Sequence, residues 1–342
     1  MTDSLSSKFN IKYYGADYPV FGLVQRLREG TIVIPNFQRE YVWDERDASR
    51  FIESLLLGLP IPTIFFAQDK FSNNLIIIDG QQRLLTLLYY YNGKFPNNKT
   101  FKLSSLDSEY NGKTYDKLSP EDRQSLDYSI LPCTIIAEGE ETNRMYYLFE
   151  RLNTSGTPLS SQEIRQAIYH GPFNDLIKEL SNLSFWKKLY WQKDNRLNGQ
   201  ELILRFFALH FNLENYNGNL NDFLNEFMRK NRSFDVIEKN KIEHLFIETV
   251  QYILESIGEN AFYHKKTFYT ILYEVLMLTV SRNKLSKSLS HSKFKEFYDS
   301  LILDMNFWQF SKGSTTSKSN FLKRIELANQ KLAIILNESG NP

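Results

Sequence analysis

The residues best suited to chemistry stand together in the run Asp79-Gly80-Gln81-Gln82-Arg83, which combines a carboxylate, a glycine, two amides and a guanidinium. An apolar run of strand length, residues 75–78, ends there, and apolar residues at helical spacing begin at Leu84. The sequence therefore predicts that these polar groups lie on a turn from a strand into a helix. The start of a helix exposes unpaired N–H groups and the positive end of the helix dipole, and such turns bind anions, phosphates above all.

Two interpretations of this run remain open from spacing alone. In one, Asp79 is the N-cap of the helix and Gln82, three residues later, closes a capping box. That interpretation does not account for Gly80, Gln81 and Arg83 together. In the other, the run is a ligand site.

A second polar stretch has a similar pattern. Residues 31–43 read as a strand followed by a turn, with Gln38 and Arg39 after the strand. An arginine at such a turn can bind a phosphate through two parallel hydrogen bonds. The alternative is a salt bridge to a neighbouring acid, Glu40 or Asp44, or stacking on a neighbouring aromatic ring.

A third stretch, residues 148–165, contains the loop that begins at Asn153. Ser160 and Glu163 have the spacing of a capping box for the helix that follows. The loop is either a plain connection between two helices or a segment that closes over a bound nucleotide, and the sequence leaves both open.

The three stretches read IPNFQREYVW, DGQQR and LFERLNTSGTPLSSQEIR. In this order and spacing they resemble the N-terminal domain family of GmrSD-type modification-dependent restriction systems, which is similar to the ParB/sulfiredoxin-like fold. The resemblance covers roughly residues 30–170. It implies nucleoside triphosphate hydrolysis at the DGQQR run, which makes Asp79, Gln81, Gln82 and Arg83 the expected catalytic residues. It further implies that the nucleotide contacts four other residues, namely Gln38, Arg39, Gly80 and Asn153.

Each catalytic residue has a chemical role in this interpretation. Asp79 holds Mg²⁺ or positions a water molecule, and the two glutamines orient that water or a phosphate oxygen. Arg83 neutralises the charge that develops on the leaving phosphate. A P-loop is not the phosphate site, because the run that ends in Gly112-Lys113-Thr114 has Asp107 where the first glycine belongs.

The spacing of apolar residues predicts an α+β chain. Strands and helices alternate up to residue 140, which indicates a ParB-like mixed α/β domain over residues 1–140, and almost everything in 141–342 has helical periodicity.

The 41 Lys and Arg residues nearly balance the 40 Asp and Glu residues, so no strongly basic coat for nucleic acid is present. The only cysteine, Cys133, lies in an apolar run and is expected to be a buried thiol. No run approaches the roughly 18 apolar residues of a membrane span, and we expect a cytoplasmic protein without a membrane partner.

Three functions are compatible with the sequence. The first is a Mg²⁺-dependent nucleoside triphosphatase that serves as sensor or regulatory component of a restriction or phage-defence system, with modified or phage DNA and a separate nuclease subunit as candidate partners. The second is a switch module that binds a nucleotide or DNA without turnover. The third is a nuclease that acts through the ParB-like domain itself. The sequence contains neither the Asp-His and Asn-His pattern of an HNH nuclease nor histidines at zinc-ligand spacing, and it does not predict the oligomeric state.

Overall fold

The computed structural model describes residues 12–34, 41–69, 72–137, 142–152, 159–193, 196–234, 236–310 and 316–339, with only the backbone at 142–145 and 338–339. The chain divides into two compact units, Met1–Leu159 and Ser160–Pro342. The first unit is mixed α/β and the second is almost entirely helical, which confirms the predicted fold class. The sequence predicts a division at residue 140, whereas the observed division follows Leu159. The helix Thr142–Leu152 therefore belongs to the first unit and not to the second domain, where the sequence places it.

The first unit contains five strands and five helices among its described residues. The strands are β1 Tyr13–Pro19, β2 Ile32–Val33, β3 Ile64–Gln68, β4 Leu75–Asp79 and β5 Ile130–Ala137. The helices are α1 Val20–Arg28, α2 Glu45–Leu56, α3 Gln81–Tyr91, α4 Pro120–Tyr128 and α5 Thr142–Leu152, and a short 3₁₀ helix spans Tyr115–Lys117.

The strands form one mixed sheet in the order β1-β5-β3-β4-β2. β5 pairs in parallel with β3 and antiparallel with β1, while β4 pairs antiparallel with β3 and in parallel with β2. Four consecutive buried residues, 75–78, form most of β4, because a strand with neighbours on both edges and covered faces is apolar throughout. The sheet thus holds the last residue of β4, Asp79, directly before α3.

The sequence predicts the start of two helices, one at Asp44 and one at Ser119-Pro120, and both starts are observed. The side chain of Asp44 accepts a hydrogen bond from the backbone N–H of Asp47 at 2.8 Å and caps α2. Ser119 caps α4 in the same way, with Pro120 at the first helical position. Residues 109–115 contain Asn111-Gly112, a dipeptide that predicts a hairpin. That prediction is wrong: the dipeptide forms a turn, but no strands flank it in this described segment.

Cys133 is buried in β5, as predicted. Burial raises the pKa of its thiol to about 12, with a further contribution from Asp17, although Arg83 acts in the opposite direction. The thiol is therefore protonated at neutral pH and unreactive as a nucleophile.

The second unit is a bundle of helices with one small hairpin. The described helices are α6 Ser161–Ile168, α7 Pro172–Ser181, α8 Ser184–Leu189, α9 Asn198–Asn212, α10 Leu220–Asn231, α11 Lys239–Ile257, α12 Thr270–Asn283, α13 Leu285–Ser288, α14 His291–Ile302, α15 Met305–Gln309 and α16 Lys318–Ser339. A 3₁₀ turn spans Leu213–Asn215, and the hairpin consists of β6 Tyr263–His264 and β7 Thr267–Phe268. No helix among the described residues is long and apolar enough to span a membrane.

A chain of alternating charges joins four helices inside the second unit. The carboxylate of Glu201 on α9 accepts hydrogen bonds from Arg165 on α6 at 2.9 Å and from Arg205 at 3.1 Å. Arg205 also donates to Glu274 on α12 at 2.9 Å. Glu274 lies 3.7 Å from the guanidinium of Arg324 on α16. Two of these guanidinium groups, Arg165 and Arg324, are fully buried, so their charges depend on this chain of partners.

Candidate functional site

The predicted turn from strand to helix lies between β4 and α3. Gly80 is the N-cap of α3 and has a φ of +101°, in the left-handed region. No side-chain hydrogen bond caps this helix, so Asp79 does not act as the N-cap. The capping interpretation of the DGQQR run is therefore wrong. The start of α3 thus has no side-chain cap, and the positive end of the helix dipole there favours anions.

Gly80 has no room for a side chain. A Cβ atom at this position would lie 3.1 Å from one methylene and one methyl carbon of Ile64, and 3.2 Å from a guanidinium nitrogen of Arg83. Together with the positive φ, this crowding means that only glycine fits the turn without strain.

Replacing Gly80 by alanine is expected to lower the free energy of unfolding by about 2–3 kcal/mol, because the Cβ adds left-handed strain to overpacking against Ile64. Urea denaturation of the variant and of wild type measures this difference. Gly112→Ala is the matched control, since Gly112 also has a positive φ of +82° but has nothing within 4 Å of its Cβ position. Equal losses in the two variants would show that crowding at Gly80 contributes nothing.

Arg83 joins the start of α3 to the segment before β3. Its guanidinium donates to the carboxylate of Asp79 at 2.9 Å and to the backbone carbonyl oxygens of Pro62 and Thr63. The Arg83 side chain is 11% exposed and that of Asp79 is 25% exposed. Burial lowers the pKa of Arg83, and the nearby Asp79 carboxylate partly offsets this effect. Two predicted catalytic residues thus contact one another, and Arg83 also braces the backbone around it.

Gln82 connects two of the three motifs. Its Oε1 atom accepts hydrogen bonds from the backbone N–H groups of Val42 at 2.9 Å and Trp43 at 3.4 Å. These two residues end the IPNFQREYVW motif. Gln82 therefore fixes the end of that motif at the first turn of α3, a contact that the sequence does not predict.

A second link runs through Tyr41 and Thr86. The Thr86 hydroxyl donates to the carbonyl oxygen of Gln82 at 2.8 Å and lies 2.8 Å from the Tyr41 hydroxyl. Since Thr86 has a single hydroxyl hydrogen, Tyr41 is the donor in the second bond. Burial raises the pKa of Tyr41 to about 12, so this phenol keeps its proton at neutral pH. The Tyr41 ring also packs edge-on against Tyr89 at 5.1 Å.

The structure places the predicted site residues unevenly. It brings five of them together at the β4–α3 turn, namely Asp79, Gly80, Gln81, Gln82 and Arg83. Gln38, Arg39 and Asn153 lie outside the described residues. Within the described part of the chain, no group of three or more His, Cys, Asp or Glu side chains is placed to hold a metal ion.

The predicted capping box at the start of α6 is present. The Ser160 hydroxyl accepts the N–H of Glu163, while the Glu163 carboxylate accepts the N–H of Ser160. Ser160 also donates to the carbonyl oxygen of Arg196 at 2.9 Å. This end of the third motif therefore has a structural function in the second unit.

Residues 20–170 match the family model described as GmrSD restriction endonuclease, N-terminal domain. Residues 20–170 are a GmrSD-type N-terminal domain. The GmrSD-type domain contains both motifs that Gln82 joins, and it continues through α6 into the second compact unit. The resemblance recognised from the three motifs is thus confirmed.

Two individual proteins resemble the chain more distantly. An uncharacterized protein from Methanocaldococcus jannaschii is 32% identical over 104 residues, which is 23% of this chain and 18% of that protein. The chain thus spans about a fifth of the length of this curated relative. A solved Pnob8-like ParB-N domain covers 95% of the chain at 11% identity, with a TM-score of 0.23. That score is too low to compare the two structures in detail.

Proposed function

We propose that the GmrSD-type domain binds a nucleoside triphosphate at the start of α3 and hydrolyses it in the presence of Mg²⁺. The observation that carries this proposal is the convergence of two motifs on one helix start that has no side-chain cap. Gln82 supplies the link, because it accepts hydrogen bonds from Val42 and Trp43, which lie three and four positions after Arg39 in the sequence.

The helix start supplies the binding energy for the phosphates. Backbone N–H groups and the helix dipole favour the negative charge of a phosphate group. Arg39 precedes Val42 by three positions in the sequence. In this proposal its guanidinium adds bidentate hydrogen bonds to a phosphate.

Asp79 is the residue on which hydrolysis depends in this proposal. Mg²⁺ bound with a nucleotide needs only one or two protein carboxylates, since phosphate oxygens and water complete its coordination, and a single aspartate satisfies that requirement. Bound Mg²⁺ would neutralise phosphate charge. Asp79 also accepts a hydrogen bond from Arg83, which orients its carboxylate at the end of β4. Gln81, one position into α3, is the residue we assign to orienting the attacking water.

A second candidate function is binding without turnover. It is favoured by the contacts of Arg83, whose guanidinium already bonds to two carbonyl oxygens and one carboxylate of its own domain. An arginine used in this way stabilises the turn and has less capacity to stabilise charge on a leaving phosphate. In this alternative the nucleotide switches contacts with a partner.

The family description supports a role in a restriction or phage-defence system. Within such a system we propose that the chain is the sensor or regulatory component. Modified or phage DNA and a separate nuclease subunit are the partners that we propose for it.

Isothermal titration calorimetry with a non-hydrolysable triphosphate and Mg²⁺ tests the binding site. Arg39→Ala and Arg83→Ala are each expected to weaken binding roughly 10- to 150-fold, because each removes a charged hydrogen bond worth about 1.5–3 kcal/mol. Arg83→Ala should also lower the melting temperature, since Arg83 braces the backbone at Pro62 and Thr63.

Arg50→Ala is the control, because Arg50 is an exposed arginine on α2. It should bind the nucleotide like wild type. Unchanged affinity in both motif variants, against a wild type that binds, would overturn the assignment of the site.

A further inference from the structure

An exposed tryptophan lies on the surface of the second unit where the chain leaves α8. Trp191 is 51% exposed, yet its ring is stacked on Tyr263 of β6, with the centroids 4.4 Å apart and the planes 11° from parallel. The preceding residue, Tyr190, packs edge-on against Phe268 of β7 at 5.3 Å. The hairpin thus holds the indole of Trp191 flat while half of its surface faces solvent.

The same two segments are rich in lysine and contain no acidic residue up to Asp194, which directly follows Lys193 in the sequence. Residues 184–193 and 261–272 contain five lysines and no aspartate or glutamate. All five lysines are exposed, and none forms a salt bridge with a described residue: Lys187, Lys188, Lys193, Lys265 and Lys266. Several other lysines of this unit pair with acids, as Lys295 does with Asp299 at 2.7 Å.

The tip of the hairpin has an unusual backbone. Lys265 and Lys266 form the two-residue turn between β6 and β7, with φ values of +49° and +65°. Turns with two positive φ values favour Asn-Gly, because a side chain in the left-handed region costs on the order of 1 kcal/mol. Two adjacent lysines here carry strain that Asn-Gly would relieve, and strained residues of this kind concentrate at functional sites.

We propose that this surface, formed by Trp191, Lys193, Lys265 and Lys266, binds single-stranded nucleic acid. A base stacks on the exposed face of Trp191, and the lysines contact the adjacent phosphates. Flat aromatic side chains beside positive charge are the pattern by which proteins bind single strands, because every unpaired base has an open face. A duplex hides those faces, so the tryptophan distinguishes single strands from duplexes. This proposal is independent of nucleotide hydrolysis in the first unit.

Fluorescence anisotropy of a labelled 20-nucleotide oligo-dT, with the full chain at several salt concentrations, tests the proposal. The double variant K265N/K266G removes two charges while installing the preferred turn, so it should fold at least as stably as wild type. It is expected to bind at least tenfold more weakly at low salt. The slope of log affinity against log salt should become shallower by about 1.4, or 0.7 for each lost phosphate contact.

Two tryptophan variants separate stacking from charge. Trp191→Ala should weaken binding of the single strand roughly 5- to 150-fold and leave binding of a duplex of equal length unchanged. Trp191→Phe keeps an aromatic face and should restore most of the lost affinity. The charge control is K239Q/K241Q, which removes two other exposed lysines of the same unit and should lose less than threefold.

Three outcomes would overturn the proposal. They are an absence of oligo-dT binding by wild type at low salt, equal affinities of K265N/K266G and the K239Q/K241Q control, and unchanged single-strand affinity in Trp191→Ala. A duplex that binds as tightly as the single strand would also contradict it.

Discussion

Replacing Glu274 by alanine is expected to lower the free energy of unfolding of the second unit by about 3–5 kcal/mol. Glu274 is 8% exposed and bonds to Arg205 at 2.9 Å, with Arg324 at 3.7 Å. Burial by itself lowers the pKa of Arg205, but Glu274 and Glu201 outweigh it and raise that pKa. The variant removes the carboxylate that both arginines share, while Arg205 keeps its bond to Glu201. Positive charge inside the unit is then less well compensated, which is costly.

Urea denaturation followed by circular dichroism measures this loss. Glu248→Ala is the matched control, because Glu248 forms an exposed salt bridge to Lys287 at 3.5 Å, which should be worth less than about 1 kcal/mol. A Glu274→Ala variant that loses no more stability than Glu248→Ala would show that the buried chain of charges does not stabilise the unit.

Replacing Asp79 by asparagine is expected to reduce phosphate release at least 100-fold while nucleotide affinity changes less than about threefold. Asparagine keeps an oxygen that can accept the Arg83 hydrogen bond, so the turn should keep its geometry. Asparagine lacks the negative charge with which, in our proposal, Asp79 binds Mg²⁺ or positions the water molecule. Binding depends mainly on the backbone N–H groups of α3 and on arginine, and these do not change.

The matched control is Asp44→Asn, which makes the same chemical change at the start of α2. Asn caps helices as well as Asp does, so this variant should release phosphate like wild type. Equal release by Asp79→Asn and wild type would remove Asp79 from the mechanism. If nucleotide affinity and phosphate release both fall markedly in Asp79→Asn, Asp79 acts in nucleotide binding.

Local signals in the sequence predicted the elements of the first unit well. The spacing of apolar residues predicts a helix over residues 81–91, which are the observed bounds of α3, and the Asp44 and Ser119 caps are both present. These signals depend on residues within a few positions of one another, and their chemistry is the same in most folds. The hairpin at Asn111-Gly112 failed because a turn-forming dipeptide needs two strand-forming flanks, and here none of the described flanking residues pairs as a strand.

Contacts between distant residues could not be predicted in the same way. Gln82 reads as a capping residue or a ligand, but its partners are the N–H groups of Val42 and Trp43, 40 and 39 positions away. Arg83 reads as a phosphate ligand, but two of its partners are carbonyl oxygens some 20 positions earlier. Backbone groups leave no signal in the sequence, so such contacts appear only once the fold is known.

The buried charges of the second unit were missed for a related reason. Arg165 belongs to the third motif, and its position five residues after Ser160 predicts only that it lies in the helix that follows the loop. Its partner Glu201 is 36 positions away on another helix. Charged residues at helical spacing usually lie on a solvated face, so pattern alone favours the wrong environment for them.

Phosphate release by the wild-type chain is the measurement that tests the proposed function most directly. The four common nucleoside triphosphates are incubated with Mg²⁺ or Mn²⁺, with and without modified DNA, beside the Asp79→Asn and Asp44→Asn variants. We predict release from at least one nucleotide by wild type and Asp44→Asn, and loss of release in Asp79→Asn. No release by wild type from any nucleotide under any of these conditions would contradict hydrolysis and leave nucleotide binding without turnover as the function of the domain.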